Sequence, residues 1–221
     1  MRFKDREEAG RLLANELQQF RDEDDLVIVG LPRGGVPVAY VIARELDKPL
    51  DIFLVSKIGA PLHEEFAIGA MTSGGEVAVS EEIIKRLNIS DAVLSELIES
   101  KKKILQERKK LLMSNRKSID FAGKTIVIVD DGLATGATMA MAISSIKKLN
   151  PREVIVAVPV ASQEAINFVK DLADEVIALH IPEYFYSVSA WYEDFRQTTD
   201  GEVINLLNRS QKSLVHHGGK S

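Results

Sequence analysis

Asp130 and Asp131 stand side by side directly after four consecutive β-branched residues, Ile126 to Val129, and Thr135, Gly136, Ala137 and Thr138 follow closely. An unbroken β-branched run reads as a strand buried on both faces of a parallel sheet. The acids therefore fall at a strand's carboxyl end, the edge at which open α/β sheets bind ligands. Carboxylates placed there can accept hydrogen bonds from vicinal hydroxyls. The segment running on to Leu149 reads as a helix, whose first turn would present free backbone N–H groups and a positive dipole end to an anion. Acids for sugar hydroxyls beside amides for a phosphate are the makings of a sugar-phosphate site. An N-cap with a tight strand-to-helix turn accounts for Asp131 or Thr135 singly, but not for both acids together with both hydroxyls.

Two further segments carry positive charge to strand ends. Gly30-Leu31-Pro32-Arg33-Gly34-Gly35 follows a strand at Leu26 to Val29. Its paired glycines let backbone approach an anion closely, and Arg33 supplies a fixed cation. In isolation the hexapeptide reads first as an ordinary glycine-rich strand-to-helix turn; its spacing ahead of the acidic motif reverses that preference in favour of the anion loop. Ser56-Lys57-Ile58-Gly59-Ala60-Pro61 follows a strand at Ile52 to Ser56. Lys57 would close that buried strand, a costly position for an ammonium unless it meets an anion or reaches solvent. His63, just beyond, reads as a solvent-facing loop histidine.

The thirteen residues IVIVDDGLATGAT, Ile126 to Thr138, resemble the phosphoribosyl diphosphate (PRPP) signature of the type I phosphoribosyltransferases. The resemblance extends over roughly residues 1 to 208, and with the helical insertion and Ala-Trp-Tyr-Glu-Asp-Phe it is strongest to bacterial phosphoribosyltransferase-domain proteins of unsettled acceptor. It implies that Asp130 and Asp131 hold the ribose hydroxyls. Ala134, Thr135, Gly136, Ala137 and Thr138 would surround the 5′-phosphate, and Arg33, Gly34, Gly35 and Lys57 the pyrophosphate. The Pro32–Arg33 bond is then the candidate for a cis peptide, and Gly59 and Pro61 would frame a mobile loop over the diphosphate. The catalytic set is Lys57, Arg33, Asp130 and Asp131. Mg²⁺ is the expected cofactor, held mainly by PRPP and reached from Asp130 or Asp131 through water.

On the acceptor side, Pro182-Glu183-Tyr184-Phe185 resembles the Pro-Asp-x-Phe segment with which purine-transferring relatives stack a base. Phe185 is the first candidate for stacking, with Tyr184 and Trp191 behind it; for Trp191 and Phe195 an aromatic mini-core is the competing reading. Ala134 stands where 6-oxopurine enzymes carry an Asp, which argues against a hypoxanthine or guanine acceptor. The implied reaction is transfer of phosphoribose from Mg-PRPP to a small-molecule nitrogen acceptor. A non-catalytic PRPP-binding regulator is the alternative, disfavoured because no helix-turn-helix or basic arm is legible. A PRPP-forming diphosphokinase is disfavoured by the lack of an ATP signature.

The elements that must position these residues alternate as a doubly wound α/β chain should. Asp5 to Phe20 reads as an amphipathic helix, Val36 to Leu46 as another, and Val154 to Val158 and Val176 to Leu179 as strands joined by a helix. The expected fold is a mostly parallel sheet with helices on both faces in one domain over residues 1–221. It carries a helical insertion at about 81–117, a hood at about 181–209 and a flexible tail at 210–221. The insertion repeats Leu97, Ile104, Leu111 and Ile98, Leu105, Leu112 every seven residues, as a helix docking on the core or on a partner subunit would. The 221 residues suffice to bury roughly 70% of the unfolded surface. Without cysteine there is no disulfide or thiolate chemistry, and without a signal core or spanning run a cytoplasmic protein with no membrane partner is expected. A homodimer is the expected assembly. A net charge of −5 argues against nucleic acid. Gly218-Gly219-Lys220-Ser221 mimics the end of a P-loop, but Leu214 replaces the required glycine.

Overall fold

A computed structural model describes residues 1–217 apart from Leu62, Ser114 and Asn115; the P-loop look-alike at 218–221 lies outside the described residues. In chain order the elements are α1 (Arg6–Glu16), β1 (Leu26–Gly30), α2 (Gly35–Leu46), β2 (Leu50–Ile52), β3 (Val55–Ala60), β4 (His63–Thr72), β5 (Val77–Val79), α3 (Glu81–Arg86), α4 (Asp91–Leu112), β6 (Thr125–Val129), α5 (Ala137–Lys147), β7 (Glu153–Val160), α6 (Gln163–Val169), β8 (Glu175–His180) and α7 (Asp200–His217).

Five strands form a parallel sheet in the order β2-β1-β6-β7-β8. The β-branched runs of β1 and β6 are buried throughout, as the sequence requires of central strands covered on both faces. Alternate residues feed two cores. Leu26, Ile28, Val127 and Ile155 meet the apolar faces of α1, α2 and α7, while Val27, Ile126, Ile128 and Val156 meet those of α5 and α6. The doubly wound reading is therefore correct. Register pairs Gly30 with Val129, so the loops after β1 and β6 leave the sheet side by side.

A second, antiparallel sheet of order β3-β4-β5 was not legible in the sequence. The expected strand Ile52 to Ser56 divides. β2 ends at Ile52, Phe53 N–H donates to Gly30 O (3.3 Å), Ser73 N–H donates to Leu54 O (2.9 Å), and the chain enters β3 at Val55. Ile52, Phe53 and Leu54 are all buried, so hydropathy runs on unbroken through the crossover.

The insertion is helical as read, and it docks on this chain. Leu105 and Leu112 are buried and Ile98 packs beside them, whereas Ile104 and Leu111 of the neighbouring row face solvent. The expected hood also divides. Residues 181–199 form a loop with one 3-10 turn at Val188–Trp191, and α7 then turns away to pack on α2, burying Val203 and Leu207. The segment from 210, expected to be a flexible tail, continues this helix to His217, with Ser210 buried. Among the described residues no helix is long and apolar enough to cross a membrane.

Candidate functional site

The site begins where β1 and β6 end. Leu31 N–H donates to Val129 O (2.9 Å), docking the β1 loop on the end of the acid-bearing strand. A side chain at either following glycine would collide with it. A Cβ built on Gly35 would stand 2.5 Å from Val129 O, and one on Gly34 would stand 2.0 Å from Asp131 Oδ2. The glycines thus bring the backbone after Arg33 directly against the two acids. The Pro32–Arg33 peptide bond between them and β1 is cis.

The other wall is the loop from the acids into α5. Gly136 caps that helix with φ 75°, a left-handed conformation that side-chain-bearing residues rarely adopt. The β7–α6 connection holds the loop. Leu133 N–H donates to Val160 O (2.9 Å), Ser162 N–H to Leu133 O (2.9 Å) and Ser162 Oγ to Ala134 O (2.7 Å). Ala134, Thr135 and Ala137 are exposed and Thr138 is half-buried, so the first turn of α5 opens towards solvent beside the acids.

A cation that sequence reasoning missed completes the site. Arg6, in the first turn of α1, donates from Nε (2.9 Å) and Nη2 (2.7 Å) to Asp131 Oδ2, and from Nη1 to Arg196 O (2.9 Å). Its guanidinium lies 4.0 Å from the centroid of the Phe195 ring. Tyr192 Oη donates to the backbone carbonyl of Asp131 (2.7 Å), and Asp131 N–H donates to Asp130 Oδ1 (2.9 Å). Burial lifts both carboxyls above the ordinary carboxylate range, and the charge of Asp131 lifts Asp130 further, while Arg6 pulls Asp131 back down. The same burial raises the Tyr192 phenol, which stays a neutral donor. Arg6 lies 125 positions from Asp131, so no local spacing could have revealed it.

A strand-end acid pair, a glycine loop pressed against it and a helix N-terminus beside it now have a counterpart among known proteins. The family described as phosphoribosyl transferase domain matches residues 4–189. The chain belongs to that family. This phosphoribosyl transferase domain is 37% identical over 217 residues to proteins of Mycobacterium tuberculosis, strains CDC 1551 / Oshkosh and H37Rv, that bear the provisional name of phosphoribosyl transferase. The match covers 98% of this chain and 48% of theirs, so the chain spans about half the length of those relatives. The crystal structure of TT1426 from Thermus thermophilus superposes with a TM-score of 0.81 at 41% identity, over 95% of this chain and 99% of that one.

The remaining candidates of the phosphoribosyl transferase domain are placed less centrally. Lys57 does not close a parallel strand. It is exposed in the middle of β3, opposite Ala70, on the small sheet that packs against α5. Gly59 sits at a register shift in β3 and Pro61 in the turn to β4, so the segment they frame is a β-hairpin tip. His63 is exposed, at the start of β4.

Of the aromatic candidates, Tyr184 is 70% exposed and Phe185 half-buried. Trp191 meets His180 edge-on at 4.7 Å between ring centroids and packs with Phe3, Tyr192 and Phe195 in an aromatic mini-core, against which Phe185, the first stacking candidate, also lies. The backbone there is tied to the amino terminus, with Phe3 N–H donating to Trp191 O (2.8 Å) and Glu193 N–H to Phe3 O (2.8 Å). Beyond Arg6 a cavity of about 720 Å³ opens between α1, α2 and α7. Its Arg44 and Arg196 are paired with Glu45 and Glu202, and Asp130 and Asp131 do not line it.

Proposed function

We propose that this domain transfers the 5-phosphoribosyl group of Mg-PRPP to a small-molecule nitrogen acceptor and releases pyrophosphate. The observation that carries the reading is the contact of Gly34 and Gly35 with Asp131 and Asp130, because it joins a pyrophosphate loop and a ribose-binding acid pair at one strand edge. Asp130 and Asp131 accept hydrogen bonds from the 2′ and 3′ hydroxyls. The first turn of α5, with the Thr135 and Thr138 hydroxyls, holds the 5′-phosphate. Arg33 and the amides after it take the pyrophosphate, with Lys57 reaching in from β3. As the bond from carbon 1 to the pyrophosphate oxygen breaks, positive character develops on the ribose ring and negative charge on the leaving group. Asp130 and Asp131 face the first, Arg33 and Lys57 the second, and catalysis is positioning with preorganised charge.

Two adjacent carboxylates suit a hydrated Mg²⁺ approached through water, and among the described residues no cluster of three acidic, histidine or cysteine ligands is formed. Bound with PRPP, the ion supplies charge neutralisation at the diphosphate. Phe185 and the more exposed Tyr184 are the surfaces offered to an acceptor ring, with Trp191 behind them, and Ala134 leaves no carboxylate for a 6-oxopurine. The deciding experiment incubates the protein with Mg²⁺ and PRPP against a panel of bases and amines and follows pyrophosphate. Acceptor-dependent release is the expected result. PRPP binding without release under any acceptor would mark a sensor, and absence of PRPP binding would remove the reading altogether.

A further inference from the structure

Asp131 uses its two carboxylate oxygens differently. Oδ2 receives both Arg6 donors, Nε at 2.9 Å and Nη2 at 2.7 Å, and the same oxygen lies against the backbone of Gly34. Both Arg6 donors pass over Oδ1. The guanidinium is fixed in turn from two sides, and the helix that carries it is capped. Its Nη1 donates to Arg196 O, its face lies 4.0 Å from the Phe195 ring centroid, and Asp5 caps α1 by accepting from Glu8 N–H (2.8 Å). Tyr192 Oη holds the backbone carbonyl of the same aspartate at 2.7 Å. The side chains of Arg6 and Asp131 are only 11% and 14% exposed, so the pair is shielded from competing water.

We infer that Arg6 is a positioning residue for ribose recognition: by converging two donors on Oδ2 it anchors that oxygen of the Asp131 carboxylate and leaves Oδ1 for a ribose hydroxyl. The inference rests on the PRPP reading given above. A planar guanidinium can hold a carboxylate this way and an ammonium cannot, because only the fork delivers two N–H groups in a fixed plane. The amino-terminal helix and the 192–196 segment then become part of the ribose site without touching the ligand. The Trp-Tyr-Glu-Asp-Phe stretch gains a role the sequence did not suggest: Tyr192 and Phe195 brace the acid pair from behind.

The test is a double-mutant cycle read by calorimetry with two probes, Mg-PRPP and ribose 5-phosphate, the second lacking the pyrophosphate and its metal. The proteins are wild type, Arg6→Gln, Asp131→Asn, the double variant and Arg6→Lys. If Arg6 acts through Asp131, each single substitution weakens both probes by about tenfold, and the double variant is no weaker than Asp131→Asn alone. Arg6→Lys keeps the charge and recovers only part of the affinity. Affinity losses that multiply in the double variant would overturn the inference, as would an Arg6→Gln protein that melts earlier yet binds like wild type. Should Arg6→Gln fail to fold, Arg6→Lys with and without Asp131→Asn closes the same cycle. A wild-type protein that binds neither probe brings down the PRPP reading and this inference with it; a wild type that binds but gives a multiplicative cycle brings down only this one.

Discussion

Gly34 and Asp131 share a space that has no room for a methyl group, since a Cβ on Gly34 would come within 2.0 Å of Asp131 Oδ2. The glycine is therefore fixed by the acid it faces as much as by any anion it serves. Gly34→Ala must push the β1 loop or the carboxylate aside, at a cost of about 1–3 kcal/mol in stability, with weakened PRPP binding beside it. Gly74→Ala is the matched control, because a Cβ there meets nothing closer than 3.5 Å and should change stability by less than about 0.5 kcal/mol. Thermal melts and calorimetry of the two variants check this; equal behaviour would show that the loop yields freely.

Asp130 gives a pH prediction. Burial and the neighbouring Asp131 charge raise its carboxyl well above the ordinary value of 3.8, which the unfolded chain retains. An acid whose folded value is raised costs stability where it is ionised in both states. The cost shrinks as pH falls through the raised folded value and is gone below the unfolded one. Asp130→Asn should therefore melt higher than wild type at pH 8, and the advantage should fade as pH approaches about 4. Melting temperatures across that range are the measurement, and an advantage that grows on acidification would reverse the sign. Such a gain at the expense of binding is the usual mark of a functional acid.

How much of this could be read from the chain follows from the range of the forces involved. The β6 signature, the glycine loop and the alternating elements were legible because burial on both faces of a parallel strand imposes an unbroken β-branched run, and a strand-end loop is contiguous in sequence. The β3-β4-β5 sheet was not, because Phe53 and Leu54 stay buried across the change of sheet and keep the hydropathy continuous. Arg6 was out of reach for a different reason: its partner lies 125 positions away, and a lone arginine on an amphipathic helix looks like any solvated charge. Tyr192 and Phe195 were legible as an aromatic cluster, but the direction in which the Tyr192 hydroxyl points is set by tertiary packing alone.

Thr138 separates binding from chemistry. Its hydroxyl, half-buried in the first turn of α5, would contact the 5′-phosphate equally in the bound substrate and in the transition state. Thr138→Val keeps the shape and removes one hydrogen bond to a charged group. The Michaelis constant for PRPP should rise by the equivalent of about 1.5–3 kcal/mol, with turnover nearly unchanged. Steady-state kinetics at varied PRPP decide it, and a loss confined to turnover would contradict a phosphate-holding role.

Lys57 is the residue on which transfer and mere sensing differ most. It stands exposed in β3, on a small sheet joined to the parallel sheet through Phe53 and Leu54, and in the proposed reaction its ammonium would meet the leaving group without being buried beside it. Pyrophosphate gains negative charge as its bond to carbon 1 breaks, and a cation there stabilises the transition state more than the bound substrate. A sensor needs no such difference. Lys57→Ala should therefore lower the single-turnover rate at saturating PRPP by about 10²-fold while weakening PRPP binding by less. Because the side chain is exposed and makes no part of either core, the variant should fold and melt as wild type does. An unchanged chemical step in a protein that still binds PRPP would remove Lys57 from the catalytic set and leave Arg33 with the loop amides to meet the departing charge.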